Sequence, residues 1–202
     1  RAFISYVDPE PGILDLARAV IDRVGFRHLH MAGLTTGSAA CALFDAAHAR
    51  GAAVSMDCQE HNVRLTDPRV VEALTRVDLF LPNAAEATRL TEADSVDSAG
   101  RLLQSVTPCV VIKDGASGAG LWRGGQAWHA PALPVTPIDT TGAGDVFNAG
   151  FLTAWMSGAE PAECLRWGNV CGGLSTQGHG GAASAPTRER VEGVLAGAAP
   201  PE

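Results

Sequence analysis

The segment DTTGAGDVFNAGF, residues 139–151, places a glycine-rich turn directly before an apolar run with helical spacing. A helix amino terminus leaves backbone N–H groups without partners and carries a partial positive charge, so it binds phosphate readily. We therefore expect the amides of Gly142, Ala143 and Gly144 to face a transferring phosphoryl group. Asp145, at the start of the helix, would accept the proton of the attacking hydroxyl. A weak base suffices, because phosphoryl transfer depends mainly on positioning and charge stabilisation.

A simpler interpretation of the same residues stays open. Residues 139–145 also fit a plain glycine turn with an acid placed favourably near a helix start, and a glycine-rich turn alone is a weak signal. Spacing by itself does not separate the two interpretations. The chain has no G-x-x-x-x-G-K-S/T segment, which disfavours a P-loop kinase.

Composition limits the class of protein. The 202 residues are 46% hydrophobic, which is enough for one core, so we predict a single domain over 1–202. A formal net charge of -7 without a basic run argues against nucleic acid or an anionic membrane as partner. The five cysteines are scattered and odd in number, and no apolar stretch is long enough to cross a bilayer. These features favour a soluble protein of the reducing cytoplasm.

Strand-like and helical segments alternate along the chain. Because the strands are apolar, the alternation predicts an α/β protein with a mostly parallel sheet covered on both faces. In such sheets ligands bind beyond the carboxyl ends of the strands, where Asp57, Asn83 and Gly115 would lie. A hairpin is expected to turn at Gly124 and Gly125. The predicted strands are 1–7, 26–33, 52–57, 78–83 and 109–115. Helices are predicted in 13–24, 38–51, 67–77, 95–106 and 186–197. A short helix is also predicted from Ala84, and two more after the glycine turn.

Four segments, in order along the chain, resemble the ribokinase-like, or PfkB-type, carbohydrate and nucleoside kinases. They are DLFLPNAAEATRLT, VVIKDGASGAGLW, DTTGAGDVFNAGF and WGNVCGGLSTQGHGGAASAPT. The resemblance covers nearly the whole chain and implies a three-layer α/β/α fold. It also implies ATP-dependent phosphorylation of a hydroxyl group on a sugar, sugar derivative or nucleoside, with Asp145 as general base and the Gly142 to Gly144 amides as anion hole.

The resemblance assigns further residues to ligands. Asn83 and Glu86 would lie near Mg²⁺ and the phosphates. Asn169 would lie beside adenine, and Lys113, Gly115 and Gly118 would lie on the nucleotide side. Many relatives also bind a monovalent cation such as K⁺ near the glycine turn. Carried over by position, its ligands would be Asp139, Thr141, Ser175, Gly178, Gly180 and Ser184.

Several of these residues also have structural explanations. Asn83 and Glu86 fit a helix capping box, a role compatible with ligand binding. Lys113 is the only lysine of the chain and ends an apolar strand, so its amine could simply reach solvent. His28 and His30 share one face of a strand, a spacing that metal sites sometimes use. No third ligand is evident, and a structural role is favoured.

The sequence departs from the family pattern in two places. Relatives carry an upstream segment with a small β-sheet lid, through which some form homodimers, whereas this sequence starts at Arg1 inside a strand-like segment. If the polypeptide itself begins there, we expect weak nucleotide binding and little turnover. Relatives also show D-x-N-x-R where this chain has Gln59 in place of the asparagine and the arginine at position 64. A non-catalytic nucleotide- or sugar-binding relative is therefore the alternative, and a generic doubly wound domain for another phosphate ligand is a third.

Overall fold

The computed structural model describes residues 12–59 and 62–197. Within these ranges, six strands form one sheet whose spatial order follows the chain. The predicted strand 1–7 lies outside the described residues. The strands are β1 (His28–Met31), β2 (Ala53–Asp57), β3 (Leu79–Leu81), β4 (Cys109–Lys113), β5 (Ala119–Arg123) and β6 (Gln126–Ala130).

The sheet is mostly parallel, as predicted. Strands β1 to β4 run parallel, and β5 and β6 form an antiparallel hairpin at one edge. The hairpin turns at Gly124 and Gly125, whose φ angles of 57° and 78° are both positive. A two-residue turn of this kind needs two residues with positive φ, which explains the glycine pair. Because β2, β3 and β4 are parallel, Asp57 and Lys113 end their strands at the same edge of the sheet.

Eight helices of the described ranges cover the two faces of this sheet. Alternate side chains of the strands, such as Val54, Phe80 and Ile112, pack against α1 to α5, while Leu81 and Val111 pack against α6 and α7. The predicted three-layer α/β/α arrangement is therefore confirmed. The helices are α1 (Ile13–Ile21), α2 (Ser38–His48), α3 (Pro68–Leu74), α4 (Ala84–Thr91), α5 (Val96–Gln104), α6 (Ala143–Met156), α7 (Pro161–Ser175) and α8 (Arg188–Leu195).

Close contact between α6 and α7 fixes the position of the glycine turn. A Cβ atom on Gly150 would lie 2.5 Å from the sulfur of Cys171, and one on Gly168 would lie 2.7 Å from the Phe147 ring. Only glycine fits at both positions, so the two helices pack more closely than larger residues would permit. This packing holds the amino end of α6 against the carboxyl edge of the sheet.

The α6 face of β2 is polar, unlike the rest of the sheet interior. Ser55 and Asp57 alternate with Val54 and Met56 along β2, and all four residues are buried. Buried polar groups need hydrogen-bond partners, because an unpaired one costs free energy. The partners of Ser55 and Asp57 therefore show what this face is built to hold.

Candidate active site

The glycine turn begins α6, where the sequence predicts a helix start. Gly142 is the residue before the first helical turn and has a left-handed backbone with φ of 72°. No side chain caps α6, and within the described residues the amides of Gly144 and Asp145 have no hydrogen-bond acceptor. The Ala143 amide is different, because it donates to the Thr140 carbonyl at 3.3 Å. The Gly142 amide likewise has no acceptor in the described residues, so three backbone donors remain available at this helix end.

A cavity of about 460 Å³ opens at the amino end of α6. This volume lies within the range of small-molecule sites. Six of the residues predicted to bind ligand line the cavity: Lys113, Gly115, Gly118, Ala143, Gly144 and Asn169. The remaining walls come mostly from apolar residues of segment 132–137 and from Phe147, so the cavity combines a polar end with an apolar body.

Gly118 and Asn169 shape this cavity through backbone contacts. Gly118 has φ of 94°, and a Cβ there would lie 2.1 Å from the Ala130 carbonyl oxygen. The Asn169 amide nitrogen donates to the carbonyls of Ala130 and Pro131 at 2.9 and 3.0 Å. Asn169 therefore fastens α7 to the segment that follows β6, and its donor group is already engaged.

Lys113 is held in a buried network beneath Gly144. Its ammonium lies 3.0 and 3.1 Å from the two carboxylate oxygens of Asp57 and 3.1 Å from the side-chain oxygen of Asn148. The Asn148 amide nitrogen donates to Asp57 in turn. An ammonium group has three N–H donors, so these three acceptors can use all of them. A Cβ on Gly144 would lie 3.7 Å from the Lys113 nitrogen, which places the network directly under the helix start.

Asn148 belongs to this network, although the sequence analysis did not single it out. Asn148 is only 3% exposed, and the other buried residues of α6 are apolar or glycine. A lone amide on the buried side of an apolar helix was the available signal, since such a group must find polar partners. The identity of those partners depends on tertiary structure.

The predicted capping box at Asn83 and Glu86 is present. The Asn83 side-chain oxygen accepts from the Glu86 amide at 2.9 Å, and the Glu86 carboxylate accepts from the Asn83 amide at 2.8 Å. Burial raises the pKa of Glu86, although the Asn83 amide opposes this effect. Asn83 also lies beside Lys113, to which it forms an isolated parallel bridge. The capping box therefore adjoins the buried network but does not line the cavity.

The predicted cation ligands lie in two segments, the loop before α6 and the stretch from the last residue of α7 to Ser184, and a hydrogen bond joins the two. Asp139 accepts from the Thr141 amide at 2.9 Å and from the Gly180 amide at 3.2 Å. The Thr141 amide and side chain, together with the Gly180 amide, lower the pKa of Asp139 to about 2. Ser184 donates to the His179 carbonyl at 2.8 Å. Ser175 is buried and directly precedes Thr176, whose carbonyl accepts from the Asp139 amide at 3.1 Å, and a Cβ on Gly178 would lie 2.6 Å from the Ser184 hydroxyl.

Asp145 stands apart from these networks. Its residue is exposed, and its carboxylate has no hydrogen bond or ion pair within the described part of the chain. The fully formed networks around it involve Asp57 and Asp139 instead. A carboxylate without a structural partner, next to available backbone amides, is free to meet an approaching hydroxyl group.

The two residues that depart from the family pattern lie away from the cavity. Gln59 has a positive φ of 57°, and its side chain packs against Gly33, where a Cβ would lie 2.8 Å from the Gln59 oxygen. Arg64 forms an ion pair with Glu92 at 3.2 Å. Neither residue lines the cavity.

The described residues contain no group of three or more His, Cys, Asp or Glu side chains that could hold a metal ion. All five cysteines are buried and free. None of the helices in the described ranges has the length and apolar character needed to cross a membrane.

A three-layer α/β/α fold with an uncapped helix start over a cavity is typical of α/β proteins that bind small molecules. Residues 25–188 match the model of the pfkB family carbohydrate kinases, and the chain belongs to this family. It is 33% identical over 168 residues to the ATP-dependent ribose-1-phosphate kinase of Halopiger xanaduensis. That match covers 83% of the chain and 54% of the relative, so the chain spans about half of that protein.

Solved structures agree with the family assignment. The Arabidopsis thaliana ribokinase complexed with ribose and ATP superimposes with a TM-score of 0.69 at 28% identity, covering 77% of this chain and 51% of that one. An Escherichia coli putative ribokinase II in complex with ATP and Mg²⁺ gives a TM-score of 0.72 at 22% identity, covering 84% and 58%. The second similarity shows the fold alone. The ribokinase-like fold expected from the sequence is therefore confirmed.

Proposed function

We propose that this chain is the nucleotide-binding and catalytic part of an ATP-dependent kinase that phosphorylates a hydroxyl group of a sugar, sugar derivative or nucleoside. The amides at the start of α6 stabilise the transferring phosphoryl group, and Asp145 accepts the proton of the attacking hydroxyl. Family membership supports the class of reaction. The two relatives that bind or use ATP according to their names support ATP as the donor.

One observation carries the proposal more than any other. The Gly144 and Asp145 amides have no acceptor in the described residues, and the Asp145 carboxylate beside them has no partner. Backbone donors at a helix start are pre-oriented, so they stabilise developing charge without having to reorganise. A carboxylate one residue away from Gly144 can receive a proton from a hydroxyl that attacks the same phosphorus atom. The arrangement provides the two elements of phosphoryl transfer that a protein must supply.

The nucleotide is proposed to occupy the 460 Å³ cavity. Its apolar walls, including Leu133 and Phe147, suit a flat base, while the polar end at Lys113 and Gly144 suits phosphates. The Lys113 ammonium is bound by Asp57 and Asn148, so it is not an unpaired cation. Its proposed role is to lie under Gly144, at the end of the cavity where the phosphates would bind.

The residues near the capping box fit a divalent cation. Burial raises the pKa of Glu86, which means that its carboxylate is poorly solvated and would gain from a nearby cation. One of its oxygens accepts from the Asn83 amide, and the other has no partner in the described residues. Glu86, with Asn83 beside it, would hold Mg²⁺, either directly or through water. Bound Mg²⁺ would neutralise charge on the phosphates.

K⁺ is the proposed occupant of the two joined loops. Asp139 is held as an anion by two amides, and it brings the Thr141 turn next to Gly180. Most of the candidate ligands would contribute backbone carbonyls. Asp139, Thr141, Gly178 and Gly180 lie on these loops, Ser175 is the last residue of α7, and Ser184 ends a short 3-10 helix. An ion there would fix the turn that precedes α6.

A parallel binding and turnover experiment tests the proposal. With the complete gene product, calorimetry would measure binding of ATP with Mg²⁺, and a coupled assay would measure ADP release with a panel of sugars and nucleosides, with and without K⁺. The kinase proposal predicts both binding and product. Heat of binding without product for any acceptor would favour the alternative, a non-catalytic nucleotide-binding relative. Absence of ATP binding would contradict both.

A further inference from the structure

A polar chain of three side chains links β1 and β2 outside the networks described above. The Ser55 hydroxyl lies 2.7 Å from the Nε2 atom of His28 and 2.7 Å from the Nδ1 atom of His30. His30 and Ser55 are paired in the parallel register of β1 and β2. Ser55 precedes Asp57 by two residues and therefore faces the same side of the sheet. The chain His28–Ser55–His30 thus lies next to the buried network under α6.

The remaining nitrogen of His28 fixes the direction of this chain. The His28 Nδ1 atom is buried and has no hydrogen-bond partner in the described residues. A buried N–H without an acceptor is rarer and more costly than a bare acceptor without a donor. His28 therefore carries its hydrogen on Nε2 and donates it to Ser55. Burial lowers the pKa of His28, which agrees with a neutral ring.

The Ser55 hydroxyl in turn determines which nitrogen of His30 carries the hydrogen. Its residue is fully buried, and among the described residues its hydroxyl contacts only the two imidazoles. Because the Ser55 hydroxyl accepts a hydrogen bond from His28, the Nδ1 atom of His30 is the acceptor left for its own O–H. If His30 also donated to Ser55, the serine hydrogen would be buried without an acceptor. Nδ1 of His30 is therefore an acceptor, and a neutral His30 must carry its hydrogen on Nε2.

We propose that His30 is a specificity-determining residue whose Nε2–H donates to an oxygen atom of the phosphate acceptor. His30 is an exposed residue, and Nε2 is the ring nitrogen that the Ser55 hydroxyl does not occupy. Its partner Ser55 faces the α6 side of the sheet together with Asp57, and the charges of Asp57, Lys113 and Asp145 act on the imidazole, so His30 lies on the same side of the sheet as the proposed catalytic carboxylate. This inference rests on the proposed function. The oxygen belongs to a hydroxyl group or to a phosphate group of the acceptor.

The tautomer is testable without turnover. Long-range ¹H–¹⁵N correlation spectra of the labelled protein near pH 7.5 should show His28 and His30 as neutral rings with the hydrogen on Nε2. Ser55→Ala removes the linking hydroxyl, and His30 should then become a mixture of tautomers. A wild-type His30 that carries its hydrogen on Nδ1 would overturn the proposal.

Binding of the acceptor is read from the same resonances. Ribose and ribose 1-phosphate, added separately in the presence of a non-hydrolysable ATP analogue, distinguish a hydroxyl from a phosphate as the recognised group. The one that binds should shift the His30 Nε2 signal. Binding of either compound, detected by calorimetry, without any change at His30 would overturn the proposal. If neither binds, other sugars and nucleosides are titrated until one does.

Kinetic variants provide a third readout. The nitrogen of a glutamine side chain can donate where Nε2–H does, whereas methionine cannot. His30→Met should raise the acceptor KM by about 3- to 10-fold, the effect of losing one neutral hydrogen bond, while the KM for ATP stays unchanged. His30→Gln should restore most of the loss. Equal acceptor KM values for wild type and His30→Met would contradict the proposed role of His30. Absence of turnover in the wild type would instead contradict the proposed kinase function. The tautomer and titration results would then decide the role of His30.

His48→Met is the matched control for His30→Met. His48 ends α2 and contacts Asp78 at 3.0 Å near the opposite, amino-terminal edge of the sheet. The substitution makes the same chemical change far from Asp145, so neither KM should move.

Discussion

The Lys113 ammonium contacts both carboxylate oxygens of Asp57, at 3.0 and 3.1 Å, with only 12% and 10% of the two side chains exposed. The two residues end β2 and β4, the strands on either side of β3, and Asn148 of α6 bonds to both. The pair thereby connects β2 and β4 to the helix that begins at the glycine turn. A buried ion pair is costly to break, because removal of one partner leaves the other charged and unpaired.

Removal of either charge should destabilise the fold. Lys113→Met leaves the Asp57 carboxylate buried without its cation, and Asp57→Asn leaves the ammonium without its anion, so each should lower the free energy of unfolding by about 3–5 kcal/mol. The double variant should lose less than the sum of the two, since neither group is then left unpaired. Urea unfolding of the four proteins measures this cycle.

A surface pair serves as the control for that cycle. Arg188 and Glu192 form an ion pair at 2.8 Å with 70% and 48% of their side chains exposed. Glu192→Gln should change the unfolding free energy by less than about 1 kcal/mol, the usual limit for exposed pairs. Additive losses at Lys113 and Asp57 would show that the two groups do not depend on each other.

Gly144→Ala separates folding from phosphate binding. A Cβ at this position would meet the Lys113 nitrogen only at 3.7 Å, so the folded chain has room for it. Stability should stay within about 0.5 kcal/mol of wild type, because alanine is also the better helix former. The methyl group would nevertheless displace a phosphate from the α6 amides, and a misplacement of this size should lower kcat/KM for ATP by about tenfold or more.

Two glycine substitutions calibrate that result. Gly193→Ala places a methyl group in open space on α8. It should leave activity unchanged and raise the free energy of unfolding by at most about 1 kcal/mol. Gly118→Ala combines a φ of 94° with a Cβ 2.1 Å from a carbonyl oxygen, so it should destabilise the protein. Full kinase activity in Gly144→Ala would mean that the phosphates do not approach this turn.

Asp145→Asn tests the proposed base. It should lower kcat by about two to four powers of ten, the range for a positioned acid–base group. The unfolding free energy should stay within about 0.5 kcal/mol, since the exposed carboxylate makes no contact in the described residues that the amide would lose. Asp94→Asn makes the same change at another exposed aspartate and should leave the kinetics unchanged. An active Asp145→Asn enzyme would remove this carboxylate from the mechanism.

Local signals in the sequence account for most of the fold and for part of the candidate site. The helix start at Gly142, the capping box at Asn83 and the turn at Gly124 each depend on residues adjacent in sequence, so local conformational preferences determine them. Alternation of strands and helices was sufficient to predict the layers. The sequence also predicted that Asp57, Asn83 and Gly115 lie at the carboxyl ends of the strands of a parallel sheet.

The partners of these side chains could not be predicted in the same way. Lys113 is separated from Asp57 by 56 residues and from Asn148 by 35, so only the tertiary structure brings the three together. Their pairing changes the interpretation of Lys113, because an ammonium with three acceptors is no longer an unpaired phosphate ligand. The polarity of the His28–Ser55–His30 chain likewise depends on one buried nitrogen that no pattern in the sequence reveals.

The loops joined by Asp139 should separate at low pH. The Thr141 amide, the Thr141 hydroxyl and the Gly180 amide lower the pKa of Asp139 from 3.8 to about 2, because they donate to its charged form. A lowered pKa in the folded state means that the stabilising contribution is complete well above pH 3.8 and is lost as the pH falls toward 2. Carboxyl ¹³C shifts should give a midpoint near 2 for Asp139, and the Thr141 and Gly180 amide signals should move over the same range. Asp139→Asn should abolish that pH dependence of the two amides, while Asp114→Asn, a partly buried aspartate on another loop, should retain it. An Asp139 midpoint at or above 3.8 would contradict the tether.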